Sequence, residues 1–139
     1  MFRHSTPIHL RFSDMDSFGH LNNAKYLTYF EEARIHYYND LVNWKYDWSI
    51  RGIILARAEV DFIVPGHFRD KVLIYTRTSK IGSKSITNEY KMVKQTTSEE
   101  IVLAQAITVA VFYNYEINAS SYVPEDWRTA ISEFEKMIL

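Results

Sequence analysis

The feature that most limits the fold is a single long helical pattern set among strands. From about residue 22 to about residue 41, Leu27, Phe30, Tyr37 and Leu41, with Tyr26 and Ala33 beside them, form one broad apolar stripe. Lys25, Glu31 and Glu32 are free to face water. Roughly twenty residues make a rod about 30 Å long. That is long for a chain of 139 residues, so the sheet is expected to wrap around it.

The segments on either side read as strands. Residues 7–13 alternate Ile8, Leu10 and Phe12 against His9, Arg11 and Ser13, a half-buried strand of period two. Residues 43–49 read as an exit loop. Four further strands are predicted at 53–64, 70–80, 85–96 and 101–114. Pro65-Gly66, Gly82-Ser83 and Thr97-Ser98-Glu99-Glu100 supply the turns. The short connections between the last three strands predict antiparallel hairpins. In the last strand Val102, Ala104, Ala106, Thr108 and Ala110 share one face, small enough to let a helix approach closely. Val123-Pro124-Glu125-Asp126 opens a final helix with proline near its start and acids in its first turn. Trp127, Ile131, Phe134 and Ile138 are its apolar stripe. Strand, long helix, four strands is an α+β order: one domain over 1–139, an antiparallel five-stranded sheet with a helix on one face and a short C-terminal helix.

Composition narrows the function classes. A net charge of −1 argues against broad electrostatic binding to nucleic acid. With no cysteine, disulfides, thiolate metal sites and a cysteine nucleophile are excluded. His4, His9, His36 and His67 show no metal-ligand spacing, and no metal or cofactor is expected. The first dozen residues carry no apolar run of signal-peptide length, and no run approaches the ~20 residues of a membrane span. The expectation is a cytoplasmic protein with no membrane partner.

Chemistry concentrates between Arg11 and Arg34. Two acids, Asp14 and Asp16, precede a turn at Ser17-Phe18-Gly19, and the helix follows at Leu21-Asn22-Asn23. Asparagine is a good N-cap. The first turn of a helix has unpaired N–H groups and a partly positive dipole end. The order carboxylate, turn, positive helix end can set a base or nucleophile beside a site that stabilises negative charge on oxygen. Asp16 is the first choice for that carboxylate, although aspartate also serves simply to cap turns. Asp14 reads as structural, a partner for loop N–H groups.

Asp14-Met15-Asp16, Gly19-His20-Leu21-Asn22-Asn23-Ala24, Tyr26 and Phe30-Glu31-Glu32-Ala33-Arg34 resemble the 4-hydroxybenzoyl-CoA thioesterase family of hot-dog-fold proteins. The resemblance implies a sheet curled around the long helix. It also implies a homodimer or homotetramer with sites between subunits, and hydrolysis of thioesters of coenzyme A or, in some members, of acyl carrier protein. It carries the catalytic carboxylate onto Asp16 and the oxyanion donor onto the backbone N–H of Asn23 or an immediate neighbour. Gly19, His20, Asn22 and Tyr26 become substrate-contacting positions.

Other readings stay open. His20 can orient substrate, bond Asp16, act as acid or base, or merely fill the turn. Glu59 and Asp61 share a face with Arg57, as a second acid or as a surface ion-pair row. Lys80, Lys84, Lys91, Lys94, Arg69 and Arg77 either hold coenzyme A phosphates or line a solvated edge. Lys84 and Ser85 are the preferred phosphate contacts. Phe18, Tyr26 and Tyr29 either line an acyl tunnel or belong to the core. Two other functions compete: a hydratase or dehydratase of acyl thioesters using Asp16 and His20, and a non-catalytic module that holds acyl thioesters.

Overall fold

The computed structural model describes residues 1–42 and 48–137. In chain order it has β1 (His4–Ile8), a 3-10 turn (Phe12–Asp14), a second 3-10 turn (Asn23–Lys25) running into α1 (Tyr26–Leu41), and β2 (Arg51–Phe62). Then come β3 (Lys71–Ile81), β4 (Ser85–Gln95), β5 (Glu100–Asn114), a two-residue β6 (Ala119–Ser120) and α2 (Glu125–Glu135). Every ladder is antiparallel, and the strand order is β1-β3-β4-β5-β2, with β6 against the end of β5. The expected architecture is present, one curled sheet with a long helix on one face and a short helix at the end.

The first strand departs from its expected bounds. It pairs from His4 to Ile8 rather than over 7–13, because its partner β3 begins at Lys71 and the register ends at Ile8↔Val72. Leu10 stays buried beyond the ladder, but Phe12 turns out into the 3-10 turn and is exposed. Pro7 is tolerated because β1 is an edge strand. The predicted exit loop at 43–49 falls largely on residues 43–47, and Ile138 on 138–139; these lie outside the described residues.

The buried side of α1 also differs in detail. Tyr26, Tyr29, Phe30, Ala33, Arg34, Tyr37 and Tyr38 are buried, whereas Leu27 is exposed. Phenols can face the core here because each hydroxyl that goes under finds a partner. Tyr37 Oη donates to Thr78 Oγ1 at 3.0 Å and Tyr38 Oη to Asn88 Oδ1 at 2.5 Å. Burial drives both hydroxyls well above their ordinary pKa, so both remain protonated donors.

On β5, Ala104, Ala106, Thr108 and Ala110 face the helix as predicted. Val102 does not share that face. The register slips between Met92 and Val93, and the slip points Leu103 inward instead.

A polar row crosses the sheet under the middle of α1: Thr78, Asn88 and Thr108 stand side by side on β3, β4 and β5. Arg34 donates to Tyr90 Oη at 3.1 Å, and Tyr90 bonds Thr108 at 2.8 Å. The row divides the core in two. One cluster surrounds Phe30, Ile74 and Met92 at the amino half of the helix; the other surrounds Tyr38, Phe112, Trp127 and Ile131 at the carboxyl half. The second is sealed by α2, which Arg128 ties to the β3–β4 turn through Gly82 O at 2.9 Å. Among the described residues no helix is long and apolar enough to cross a membrane.

Candidate active site

The chain entering α1 is folded into a miniature hairpin. Asn22 N–H donates to Asp14 O at 2.9 Å, Asp16 N–H donates to His20 O at 2.8 Å, and Met15 bridges Leu21 between them. Gly19 closes the turn with its N–H on Asp16 O at 3.1 Å. Its φ of +80° is the left-handed region, where a side chain is strained even though the space around it is open. A third segment docks alongside: Leu21 N–H donates to Gly66 O at 2.8 Å, and His20 bridges His67.

Asp16 occupies the inner side of that turn, half-buried. One carboxylate oxygen, Oδ1, accepts from Phe18 N–H at 2.9 Å and from His20 N–H at 3.1 Å. That is the turn-capping use of aspartate. It engages only one oxygen, and no described residue donates to Oδ2. Asp16 therefore both closes the turn and presents a free carboxylate oxygen.

The helix entry is built as its sequence predicts. Asn22 is the N-cap, its Oδ1 accepting from Ala24 N–H at 3.0 Å. Lys25 N–H bonds Asn22 O. The N–H of Asn23 has no acceptor among the described residues, as expected of a first-turn donor. These groups meet in a cleft of about 360 Å³ lined by Asp16, His20, Leu21, Asn22, Asn23, Tyr26 and the 62–65 segment at the end of β2. Phe62 stands edge-on to the Tyr26 ring at 4.9 Å. The 62–65 wall had no signal in the sequence beyond the Pro65-Gly66 turn, because the register of β2 against β5 brings it here.

Asp14 has partners other than loop amides. Its carboxylate is covered but shallow, 2% exposed. Oδ2 accepts from Tyr29 Oη at 2.6 Å and from Arg11 Nε at 3.1 Å, while Oδ1 accepts from Arg11 Nη2 at 3.2 Å. Tyr29 Oη in turn accepts from Arg11 N–H at 3.0 Å. The Tyr29 bond, then the Arg11 bond, hold the Asp14 carboxyl below the usual range.

The remaining candidates are scattered differently. The link from His20 to Asp16 is through the backbone; its ring packs edge-on against His67, with centroids 5.1 Å apart. No pattern along the chain joins those two histidines. Phe18 is exposed at the turn tip, Tyr29 points at Asp14, and only Tyr26 of the three aromatics lines the cleft. Arg57 and Glu59 pair on the open surface. Lys84 lies over the Tyr122 ring at 5.2 Å. Ser85 is level with Val111 and Ile54, whereas the cleft is level with Phe62. Within one chain Ser85 and the cleft are thus about 26 Å apart along the strands, at roughly 3.3 Å per residue. Among the described residues no group of three or more His, Cys, Asp or Glu side chains is placed to hold a metal.

Known proteins resemble this chain at two levels, sequence and fold. Residues 10–131 match a family model described as the thioesterase-like superfamily. A bacterial relative, uncharacterized protein YsmA of Bacillus subtilis (strain 168), is 34% identical over 89 residues. The match spans 64% of this chain and 60% of that protein, less than two thirds of its length. A thioesterase from Thermus thermophilus, solved with coenzyme A and Zn, is 29% identical with a TM-score of 0.82, covering 99% of this chain and 98% of that one. A 1,4-dihydroxy-2-naphthoyl-CoA thioesterase from Synechocystis is 19% identical with a TM-score of 0.83, covering 94% of this chain and 96% of that one. At that lower identity the likeness is one of fold.

Proposed function

The chain belongs to the thioesterase-like superfamily, and from that premise we propose that it hydrolyses acyl-CoA thioesters to the free acid and coenzyme A, with Asp16 as base or nucleophile and the N–H of Asn23 as oxyanion donor. One observation carries the reading. Two unspent groups, Asp16 Oδ2 and the first-turn N–H of Asn23, border the same cleft at the positive end of a long helix. Oδ2 either takes a proton from water or adds to the carbonyl carbon. Both routes leave negative charge on the thioester oxygen, which the N–H and helix dipole stabilise; one such donor is typically worth about 10²–10³ in rate. His20, Gly19 and Asn22 shape the loop around the thioester, and Tyr26 with Phe62 forms the wall against the acyl group.

A hydratase working through Asp16 and an imidazole fits less well, because the His20 ring is turned to His67. A panel of acyl-CoA esters assayed by free-thiol release, with Asp16→Asn beside the wild type, tests the assignment. Equal rates in the two proteins would remove Asp16 from the mechanism. Single-turnover hydrolysis in ¹⁸O-water separates the two uses of Oδ2: the base route puts label in the released acid, whereas water attack on the Asp16 carbonyl of an anhydride leaves label in the protein and releases unlabelled acid.

The working unit in this reading is a homodimer, or a tetramer made of two such dimers. Strand β2 is an edge of the sheet; Ile54, Leu55 and Phe62 are exposed along it, and Ile63 just beyond its end. A long exposed edge strand with apolar side chains at both ends invites pairing with another chain. Antiparallel pairing of two β2 strands about a point near Ala58 brings the Ile54 end of one copy level with the Phe62 end of the other. Lys84 and Ser85 of a second copy then lie at the level of this cleft, three strands across, about 14 Å at ~4.8 Å per strand. That arrangement lets them hold the phosphates of coenzyme A, or the phosphopantetheine of a carrier protein, across the interface. Sedimentation of wild type and Leu55→Lys checks it: a dimer in the first and a monomer in the second are expected.

A further inference from the structure

We infer that the Asp14–Tyr29 pair, closed by Arg11, is a positioning clamp that fixes the catalytic loop and the oxyanion donor relative to each other. The inference rests on the assignment of Asp16 and Asn23 above, and concerns neither residue's own chemistry.

Asp16 lies on one arm of the miniature hairpin and Asn23 directly follows the other, so their separation is set by the two backbone bonds that pair those arms. Asp14 carries one of the two: its carbonyl oxygen receives the Asn22 N–H, immediately before Asn23. Asp14 also lies two residues before Asp16. Its backbone thus sits at the point where a shift would move both groups. Its side chain is the anchor for that backbone, and the anchor is on α1 itself. Tyr29 is about 10 Å further along the helix than Asn23 at ~1.5–2 Å per residue. A hairpin pinned only at the helix start can pivot about its N-cap; one pinned a turn and a half deeper cannot.

The clamp is closed on itself. Tyr29 Oη donates to Asp14 Oδ2 and accepts the N–H of Arg11, while the Arg11 guanidinium grips both oxygens of Asp14. Each of the three residues is held by the other two. No member lines the cleft, so none is a catalytic residue. The effect on rate passes through geometry alone, and a displacement near 1 Å of groups that must meet a reacting carbonyl can cost about 10²-fold.

Tyr29→Phe tests the clamp, because it deletes one hydroxyl at a covered position and leaves the ring in place. In the acyl-CoA panel, with the variant's melting curve lying above the assay temperature, kcat is expected to fall between about 10- and 100-fold while KM stays within about twofold. Unchanged kcat, or a rise in KM alone, overturns the inference, since a residue that only supports folding or only touches substrate would give those results. If Tyr29→Phe does not fold, Arg11→Met, which removes the exposed guanidinium that grips both Asp14 oxygens, is judged by the same two criteria. Asp16→Asn in the same assay separates the two assignments. An Asp16→Asn protein as active as wild type sinks the base; an inactive Asp16→Asn beside a fully active Tyr29→Phe sinks only the clamp.

Discussion

The two ends of α1 are finished in opposite ways. At its amino end the helix opens through a 3-10 turn into a cleft, and a carboxylate oxygen and a backbone N–H are left without partners among the described residues. At its carboxyl end Tyr37 and Tyr38 are buried, their hydroxyls spent on Thr78, Glu135 and Asn88, and α2 lays Trp127 and Ile131 over them. Between the two stands the polar row of Thr78, Asn88 and Thr108. The contrast is between an end that leaves a carboxylate oxygen and a first-turn N–H open to a cleft and an end whose phenol hydroxyls are spent and covered by α2.

That division can be broken by substitution. The largest effect is expected from Asp16→Asn, a loss of turnover on the order of 10³ with little change in melting temperature, because the amide oxygen can still accept from Phe18 and His20. A melt lowered as far as by a core substitution would mean that the open end is structural after all. Next comes Trp127→Ala, which should cost about 3–5 kcal/mol by chemical denaturation, as large-to-small core changes do. The folded fraction should keep its kcat within about twofold, and a kcat loss rivalling that of Asp16→Asn would join the two ends that the comparison separates. A smaller effect, about 1–3 kcal/mol, is expected from Tyr38→Phe, which leaves Asn88 Oδ1 buried without its donor. Denaturant midpoints of the variant and wild type measure it.

The smallest and sharpest contrast is in pH. The Tyr29 and Arg11 bonds lower the Asp14 pKa in the folded protein, so its contribution to stability is present above the ordinary carboxylate range and is lost as pH falls through the lowered value. Burial raises the Glu135 pKa, a change that Tyr37 partly offsets. Its contribution is therefore full below the ordinary glutamate range and is lost as pH rises through the raised value. Stability measured against pH should accordingly lose part of its acid slope in Asp14→Asn. In Glu135→Gln it should lose part of the decline above about pH 4.5. Slopes that change in the same direction in both variants would contradict the assigned signs.

Much of the site was readable from residues alone because it is local. Asp16, Gly19, Asn22 and Asn23 fall within eight positions, and turn chemistry, a glycine-requiring φ and an N-cap each act over a few residues. The partner of Asp14 was not readable in the same way. In the sequence Tyr29 reads as a core or acyl-tunnel aromatic; only the docked helix brings its hydroxyl to the Asp14 carboxylate. Leu27 was misplaced on the apolar stripe for a related reason. Periodicity gives a direction around the helix, but the edge of the sheet decides which boundary residue is covered.

By itself, the chain determined its element order, the long helix, the turn that precedes it and the identity of the groups that could do chemistry, since periodicity and turn preference are properties of neighbouring residues. Only the tertiary structure decided that Phe62 to Pro65 would wall the cleft, that His20 would meet His67 rather than turn to Asp16, and that the first strand would stop at Ile8. Each of those depends on where a distant strand begins or ends, and strand register is settled by pairing between segments that no local pattern describes.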